Sequence, residues 1–371
     1  MTEELVIIGN NFSGLGSAIA CARNGCKVKI IAPKKQSILL GGLQVAPNAR
    51  AALSVLGIDS HIHQKATQLA AVEIKSFDTA VNLATIPLPS EAPTYIGIAR
   101  EDLYHILMDS CLTNSLIEFT DASLLAISQT EEQTNLALDN GEVVSASIVI
   151  GADGWHGKTR QFVSSGVTQQ NTGYSIYRSV YPAAKLPASF SSPNTQLWLG
   201  KSCHLVTYPI SNGRDVNLVF TFSDKKFPDS SIHTILSNHP ILGALLNQEY
   251  SWHLSPIKKF ETLFNWRRGG ITLIGDAAHP MAPHLAQGAA QSFIDIACME
   301  NNLSKGQSLA DAIRNMVTVR MPKAQIIARK SQISGQIFRL NGPIATARNQ
   351  IIGVAGEIII NEFLQDLWLT A

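Results

Sequence analysis

The chain has 371 residues, with 29 Lys+Arg against 28 Asp+Glu, 45% hydrophobic and 15% charged. At roughly 100–200 residues per domain this is chain for about two or three compact units, and a charged fraction below the usual ~25% without compositional bias excludes a disordered or fibrous protein. A net charge of +1 offers no basic face to displace phosphate counterions, so nucleic acid is not an expected partner.

Met1 to Glu4 is acidic and runs directly into Leu5-Val6-Ile7-Ile8, unlike a secretory signal with its basic start. The most apolar late stretch, Ile351 to Ile360, is short and carries Glu357, so no membrane span is expected and the protein reads as cytoplasmic. Cys21, Cys26, Cys111, Cys203 and Cys298 form no CxxC pair and have no His at zinc spacing. They read as reduced thiols, with no metal site.

In chain order, Leu5–Ile8 predicts a strand, Gly9 a turn, and Leu15, Ala18, Ile19 and Ala22 a helix closed by Asn24-Gly25; Val28–Ile31 predicts the next strand. Strand, glycine turn, helix and strand within about 30 residues make a βαβ unit. A helix follows over Pro47–Leu56, then two or three strands between Val72 and Ile98, and a helix over Arg100–Leu112 with Leu103, Ile106, Leu107 and Cys111 along one side. Asp139-Asn140-Gly141 predicts a hairpin, and Ser147–Ile150 a buried strand running into Gly151-Ala152-Asp153-Gly154.

From about Thr172 to Trp266 the pattern changes to alternating strands, Tyr174–Val180, Leu197–Leu199, His204–Tyr208 and Val216–Phe222, with a turn at Ser211-Asn212-Gly213. This argues for a separate antiparallel sheet. The α/β pattern then resumes with a strand at Ile271–Ile274 and a helix at Gln287–Leu303. The expected fold is α/β: a Rossmann-like domain in three pieces (1–71, 99–170, 267–330) interleaved with an antiparallel β-sheet domain in two (72–98, 171–266), ending in a helical segment (331–371).

The first turn, Gly9-Asn10-Asn11-Phe12-Ser13-Gly14, keeps two glycines of GxGxxG and replaces the middle one by Asn11, which brings a side chain toward the phosphates. Where an acidic residue usually accepts ribose hydroxyls, at the end of the second strand, stands Ala32. In Gly275-Asp276-Ala277-Ala278-His279-Pro280 an Asp closes a parallel strand and points into the crevice where open α/β sheets bind ligands. The helix starting near Gly288 places partial positive charge on a bound group. Asp276 suits the ribityl hydroxyls of a flavin, and the helix start suits the ring edge that becomes anionic on reduction.

His204, Val206 and Tyr208 share one face of a strand. A His/Tyr pair against an apolar wall can deprotonate or hydrogen-bond a phenol; the same residues also read as an ordinary sheet histidine and a buried aromatic. His279 reads as bracing the Asp276 turn, Arg178 as a substrate-carboxylate ligand or a surface residue, and Trp198, Phe220 and Phe222 as sheet core.

Strand-GxxxxG-helix, Gly151-Ala152-Asp153-Gly154 and Gly275-Asp276-Ala277-Ala278-His279-Pro280, in that order, resemble the FAD-dependent single-component aromatic hydroxylases, in the salicylate hydroxylase and 6-hydroxynicotinate monooxygenase branch. The resemblance extends to Gly42–Asn48, Arg100–Leu103, His204–Pro209, Ala286–Ala289 and Arg320–Lys323. It implies a p-hydroxybenzoate hydroxylase-like fold in which the antiparallel β-sheet domain is the substrate domain, NAD(P)H reduces FAD, O2 forms a flavin hydroperoxide, and a small aromatic or heteroaromatic substrate is hydroxylated. It assigns FAD contacts to Gly9, Asn11, Ser13, Gly14, Arg100, Asp153, Gly154, Gly275, Asp276, Pro283, Gln287, Gly288 and Ala289, with Asp153 in the motif shared between FAD and NAD(P)H. His204, Tyr208 and Gln44 are the catalytic candidates. Asn11 and Ala32 depart from the pattern and imply weaker FAD binding; Gly157 stands where the family often has Ser, while Arg160 is kept. N-hydroxylation or epoxidation on the same scaffold, and a non-catalytic descendant with weakened FAD binding, remain the alternatives. Monomer and homodimer both stay open.

Overall fold

Leu5 to Ile8 are buried, as a central parallel strand covered on both faces requires. They form β1 (Glu4–Ile8), which turns through Gly9 into α1 (Phe12–Arg23) and pairs in parallel with β2 (Lys27–Ala32). Gly9 has φ +111°, and a Cβ on it would lie 2.5 Å from the Ala152 carbonyl oxygen; a Cβ on Gly14 would lie 2.0 Å from the Gly9 carbonyl oxygen. Only glycine lets strand end and helix start approach this closely. The computed structural model describes residues 4–34, 40–91, 93–131, 133–166, 168–190, 192–227, 231–237, 239, 242–243 and 251–369; Met1 to Glu3, in the N-terminal stretch read above, lie outside them.

The chain continues through β3 (Gly42–Val45), α2 (Pro47–Ser54), α3 (Asp59–Lys65), β4 (Thr67–Gln68), β5 (Ala71–Ser76), β6 (Asn82–Pro87) and β7 (Ile96–Ala99) to α4 (Arg100–Leu112). Next come β8 (Ile117–Asp121), β9 (Leu124–Gln129), β10 (Thr134–Leu138), β11 (Val143–Ala146), β12 (Val149–Gly151) and α5 (Lys158–Val163). The Asp139–Gly141 turn joins β10 to β11 as an antiparallel hairpin, with Gly141 at φ +85°. The long antiparallel region is β13 (Gln169–Pro182), β14 (Thr195–Leu199), β15 (Cys203–Ile210), β16 (Asp215–Ser223), a short α6 (Ile232–Leu236) and β17 (His253–Phe260). The chain ends with β18 (Arg267–Arg268), β19 (Ile271–Leu273), α7 (Gly288–Leu303), α8 (Leu309–Phe338) and α9 (Gly342–Leu369).

Two large sheets organise the molecule. In the first, ordered β18-β19-β12-β1-β2-β8, all pairings are parallel except the β18 edge. Leu15 and Ile19 of α1, Leu103 and Leu107 of α4, and Phe293 and Ile296 of α7 close over one of its faces. The second, β17-β13-β16-β15-β14-β5-β6, is antiparallel except where β14 meets β5. Trp198, Leu205, Phe220 and Phe222 are buried in its core on one side, which leaves the alternate residues, His204, Val206 and Tyr208 among them, for the other.

α8 runs unbroken across residues 330 and 331, so the last expected boundary falls inside a helix. The apolar stretch Ile351–Ile360 lies within α9, and no helix among the described residues is long and apolar enough to cross a membrane.

Candidate functional site

A cavity of about 1130 Å³ reaches from the first glycine turn to the open face of the second sheet. At one end its wall is Asn10 to Ser13, Pro33, Arg100, Tyr104, Asp276 and the 281–286 loop with Gly288 and Ala289. Opposite stand Arg178, His204, Val206, Tyr208, Asn217 and Val219 of the sheet, with Gln44 and Tyr95 beside them. The C-terminal end of α8 and much of α9 close the far side.

Asn11 turns back onto its own helix. Its Oδ1 accepts from the Ser13 N–H at 3.0 Å and the Gly14 N–H at 3.2 Å, and its Nδ2 donates to the Ala152 carbonyl at 2.5 Å. The side chain therefore caps α1 and takes two of the donors that a helix start otherwise presents to an anion. Ala32 is buried at the end of β2, where it supplies no acceptor, and the neighbouring Pro33 lines the cavity.

Of the other expected cofactor residues, Ser13, Arg100, Asp276, Pro283, Gly288 and Ala289 reach the cavity wall. Gly9 and Gly14 build the turn behind it. Gly275, at φ +60°, leaves room for the Ser13 hydroxyl, which would lie 2.0 Å from a Cβ there. Asp153 and Gly154 stand off the wall: the Asp153 carboxylate accepts from the Thr159 hydroxyl and, at 3.0 Å, from the Thr159 N–H at the start of α5. Burial pushes the Asp153 carboxyl up, and these hydrogen bonds oppose the rise. Arg160 donates from Nη1 to the Ala277 carbonyl at 2.6 Å and stacks on Trp155, so it braces the Asp276 turn from behind.

Gln287 is also off the wall, inside a buried polar network. Its Oε1 accepts from Asn48 Nδ2 at 3.2 Å and Gln291 Nε2 at 2.9 Å. Arg320 donates to Gln291 Oε1 and, at 2.9 Å, to Asp295 Oδ1, while Asp295 Oδ2 lies 2.5 Å from His279 Nε2. Burial works against the Asp295 charge, yet His279 and Arg320 hold its carboxyl below the usual range. The network ties α2, α7 and α8 to the loop that lines the cavity, where Ala286 is held at φ +54°, a left-handed conformation costly for a residue with a Cβ.

On the sheet side, burial pushes the Tyr208 hydroxyl well up, against the pull of Arg100 and Arg178, so it remains a neutral donor. Burial, with Arg100 next, lowers Arg178, whose Nη1 donates to Ser255 Oγ at 3.0 Å. Among the described residues neither guanidinium lies within ion-pair distance of a carboxylate. Burial, then His284, Arg339 and Arg348, drives His204 well below the ordinary imidazole value; burial and Arg339 push His284 down to about 3. Both rings are neutral at pH 7. Gln44 Oε1 accepts from the Tyr95 hydroxyl at 2.8 Å.

Among the described residues, five buried polar atoms of cavity-lining side chains have no protein partner: Gln44 Nε2, Thr195 Oγ1, His204 Nδ1, Asn217 Nδ2 and His284 Nδ1. Buried polar groups are normally satisfied, so these atoms give the wall hydrogen-bonding capacity that the described residues leave unused. Tyr95, Asn217 and His284 were missed in the sequence; Asn217 was recoverable, since it alternates with Val219 on one strand face, whereas the other two carry no local signal.

An FAD binding domain model matches residues 2–308. The chain is 30% identical over 367 residues to 3-hydroxybenzoate 6-hydroxylase of Klebsiella oxytoca, covering 93% of this chain and 91% of the relative. It is 27% identical over 313 residues to 6-hydroxynicotinate 3-monooxygenase of Bordetella bronchiseptica, covering 80% and 81%. A salicylate hydroxylase substrate complex superposes with a TM-score of 0.80 over 100% of this chain and 98% of that one, at 20% identity. The chain belongs to the FAD binding domain family, among its FAD-dependent aromatic hydroxylases of the monooxygenase type. The wall fits that cofactor: a helix start, a guanidinium, a carboxylate facing the cavity and unpartnered amides occur together along one elongated space.

Proposed function

We propose that this protein hydroxylates a small aromatic or heteroaromatic compound bearing an acidic or phenolic group, using NAD(P)H and O2. The observation that carries the reading is Arg178, a cation that faces the cavity beside Tyr208 and, among the described residues, has no carboxylate within ion-pair distance. An anion on the ligand supplies the missing charge. Bound FAD would supply the redox chemistry, with NAD(P)H as the source of hydride, one oxygen atom of O2 going to the ring and the other to water.

The chain's own residues do the rest. The turn at Asn10 to Ser13, with Arg100, Asp276 and the Pro283–Ala289 segment, would hold the flavin. Arg178 orients the substrate's anionic group. Tyr208, kept protonated, donates a hydrogen bond to a ring oxygen and steadies charge that develops there. His204 is neutral and accepts a hydrogen bond; its lowered basicity suits it to orienting a hydroxyl more than to removing its proton. Gln44 has its carbonyl engaged by Tyr95, while its buried NH2 has no partner among the described residues. The aliphatic lining excludes water from the reacting centre.

The test is to reconstitute the protein with FAD and follow NAD(P)H oxidation with hydroxybenzoates and hydroxypyridines under isotopically labelled O2. The reading expects aromatic-stimulated oxidation and a product carrying one labelled oxygen on the ring. Oxidation that no aromatic stimulates, with no labelled product, would overturn it.

A further inference from the structure

The register of the second sheet lines up a row of residues facing the cavity: Arg178 on β13 opposite Val219 on β16, Val219 opposite Val206 on β15, Val206 opposite Leu197 on β14, and Leu197 opposite Ile74 on β5. All five line the cavity. One end of the row is a cation and the other four members are aliphatic. Parallel to it, Leu199 and Val72 extend the apolar end. At about 4.8 Å per strand, Arg178 and Ile74 stand about 19 Å apart, far more than a single aromatic ring needs.

α8 and α9 roof the same end with Phe338, Ile352, Ile360, Phe363 and Leu364. At its rim Ile337, Ile344, Ile351 and Ile359 line the cavity while remaining 45%, 63%, 58% and 52% exposed. Isolated exposed aliphatics are ordinary, but a set of four that also lines a cavity forms an apolar entrance. The tunnel is thus polar and cationic where the ring chemistry is proposed, and greasy from there to the mouth.

Resting on the hydroxylase reading above, we propose that the substrate is an aromatic acid or phenol carrying an unbranched aliphatic chain, its polar head at Arg178 and Tyr208 and its tail along Leu197, Ile74 and Ile352. The distance from Val206 to Ile74 is two strand spacings, about 10 Å, which sets the useful tail at roughly six to eight carbons. Each methylene transferred from water into such a lining tightens binding about fourfold.

The test uses the FAD-loaded protein and a series of alkylsalicylates from methyl to decyl, with two readouts: calorimetric binding without NAD(P)H, and NAD(P)H consumption with product analysis. The expected result is affinity rising about fourfold per carbon and levelling off near heptyl or octyl. In Leu197→Phe and Ile352→Phe, made separately so that one misfolded variant does not decide the matter, the heptyl-to-methyl affinity ratio should fall at least about tenfold. Salicylate itself bound and hydroxylated as well as every homologue would overturn the tail site while leaving the hydroxylase reading standing. Chain-dependent binding without any hydroxylated product would support the tail site and overturn the hydroxylase reading. Equal loss for short and long homologues in both folded variants would overturn the assignment to this row.

Discussion

Asn11→Gly isolates the departure at the head of α1. The wild-type amide caps the helix through the Ser13 and Gly14 N–H groups and is anchored to the Ala152 carbonyl. Replacing an Asn cap by Gly costs a few tenths of a kcal/mol, and losing the hydrogen bond to Ala152 about 1 kcal/mol more, so the variant should unfold at a slightly lower urea concentration. The gain is at the cofactor. In the wild type a phosphate has to take those two donors from a neutral amide; in the variant it finds them free. The neutral bond that the wild type must first give up is worth about 1 kcal/mol for each donor, together about 2 kcal/mol, or roughly thirtyfold in Kd. Flavin fluorescence quenching, titrated into apo-protein, measures it, with circular dichroism as the check on α1. An FAD affinity that is unchanged or weaker in a folded variant would refute the reasoning, and Asn11 would then be a cap with no bearing on the cofactor.

Arg178→Gln should raise KM for carboxylated aromatics about tenfold to hundredfold, the worth of a charged hydrogen bond, while neutral phenols change little; steady-state kinetics on both classes checks this. Asp295→Asn removes the acceptor shared by His279 and Arg320 and should cost about 3–5 kcal/mol in urea unfolding. Because the Asp295 carboxyl titrates below its ordinary 3.8 in the fold, its contribution is present above that value and is lost as pH falls through the folded value; the gap between wild type and variant should narrow only in strong acid. His284 behaves in the opposite region: it is neutral in the fold down to about 3 but takes a proton near 6.5 when unfolded. Stability should therefore fall as pH drops below about 6.5, by up to ~1.4 kcal/mol per unit for this group, and His284→Asn should flatten that limb. An unchanged slope would count against the buried neutral ring.

The parts of this protein that are legible in sequence are those written in short-range pattern. Leu5–Ile8 followed by Gly9 and a helical stripe can only be a strand turning into a helix, because Gly9 and Gly14 are the residues that permit the backbone contacts at that turn. Asp276, directly after an apolar strand, lands at the carboxyl end of the first sheet, where crevices form. The two-residue repeat puts His204, Val206 and Tyr208 on one face whatever their neighbours are. What alternation does not carry is the identity of those neighbours. Leu197 meets Ile74 across 123 positions of chain, and that pairing depends on sheet order, which arises from packing between distant segments. The same holds for the individual contacts: Asn11 bends back to the Ala152 carbonyl, Asp153 spends its carboxylate on Thr159, and Gln287 is drawn into the network of Asn48, Gln291 and Arg320. α9 is apolar on nearly every side, so its composition does not say which side faces inward. Local chemistry decided the elements and the faces of the strands; only the folded chain, by bringing α9 over a sheet whose register runs from Arg178 to Ile74, decided the shape and polarity of the space between them.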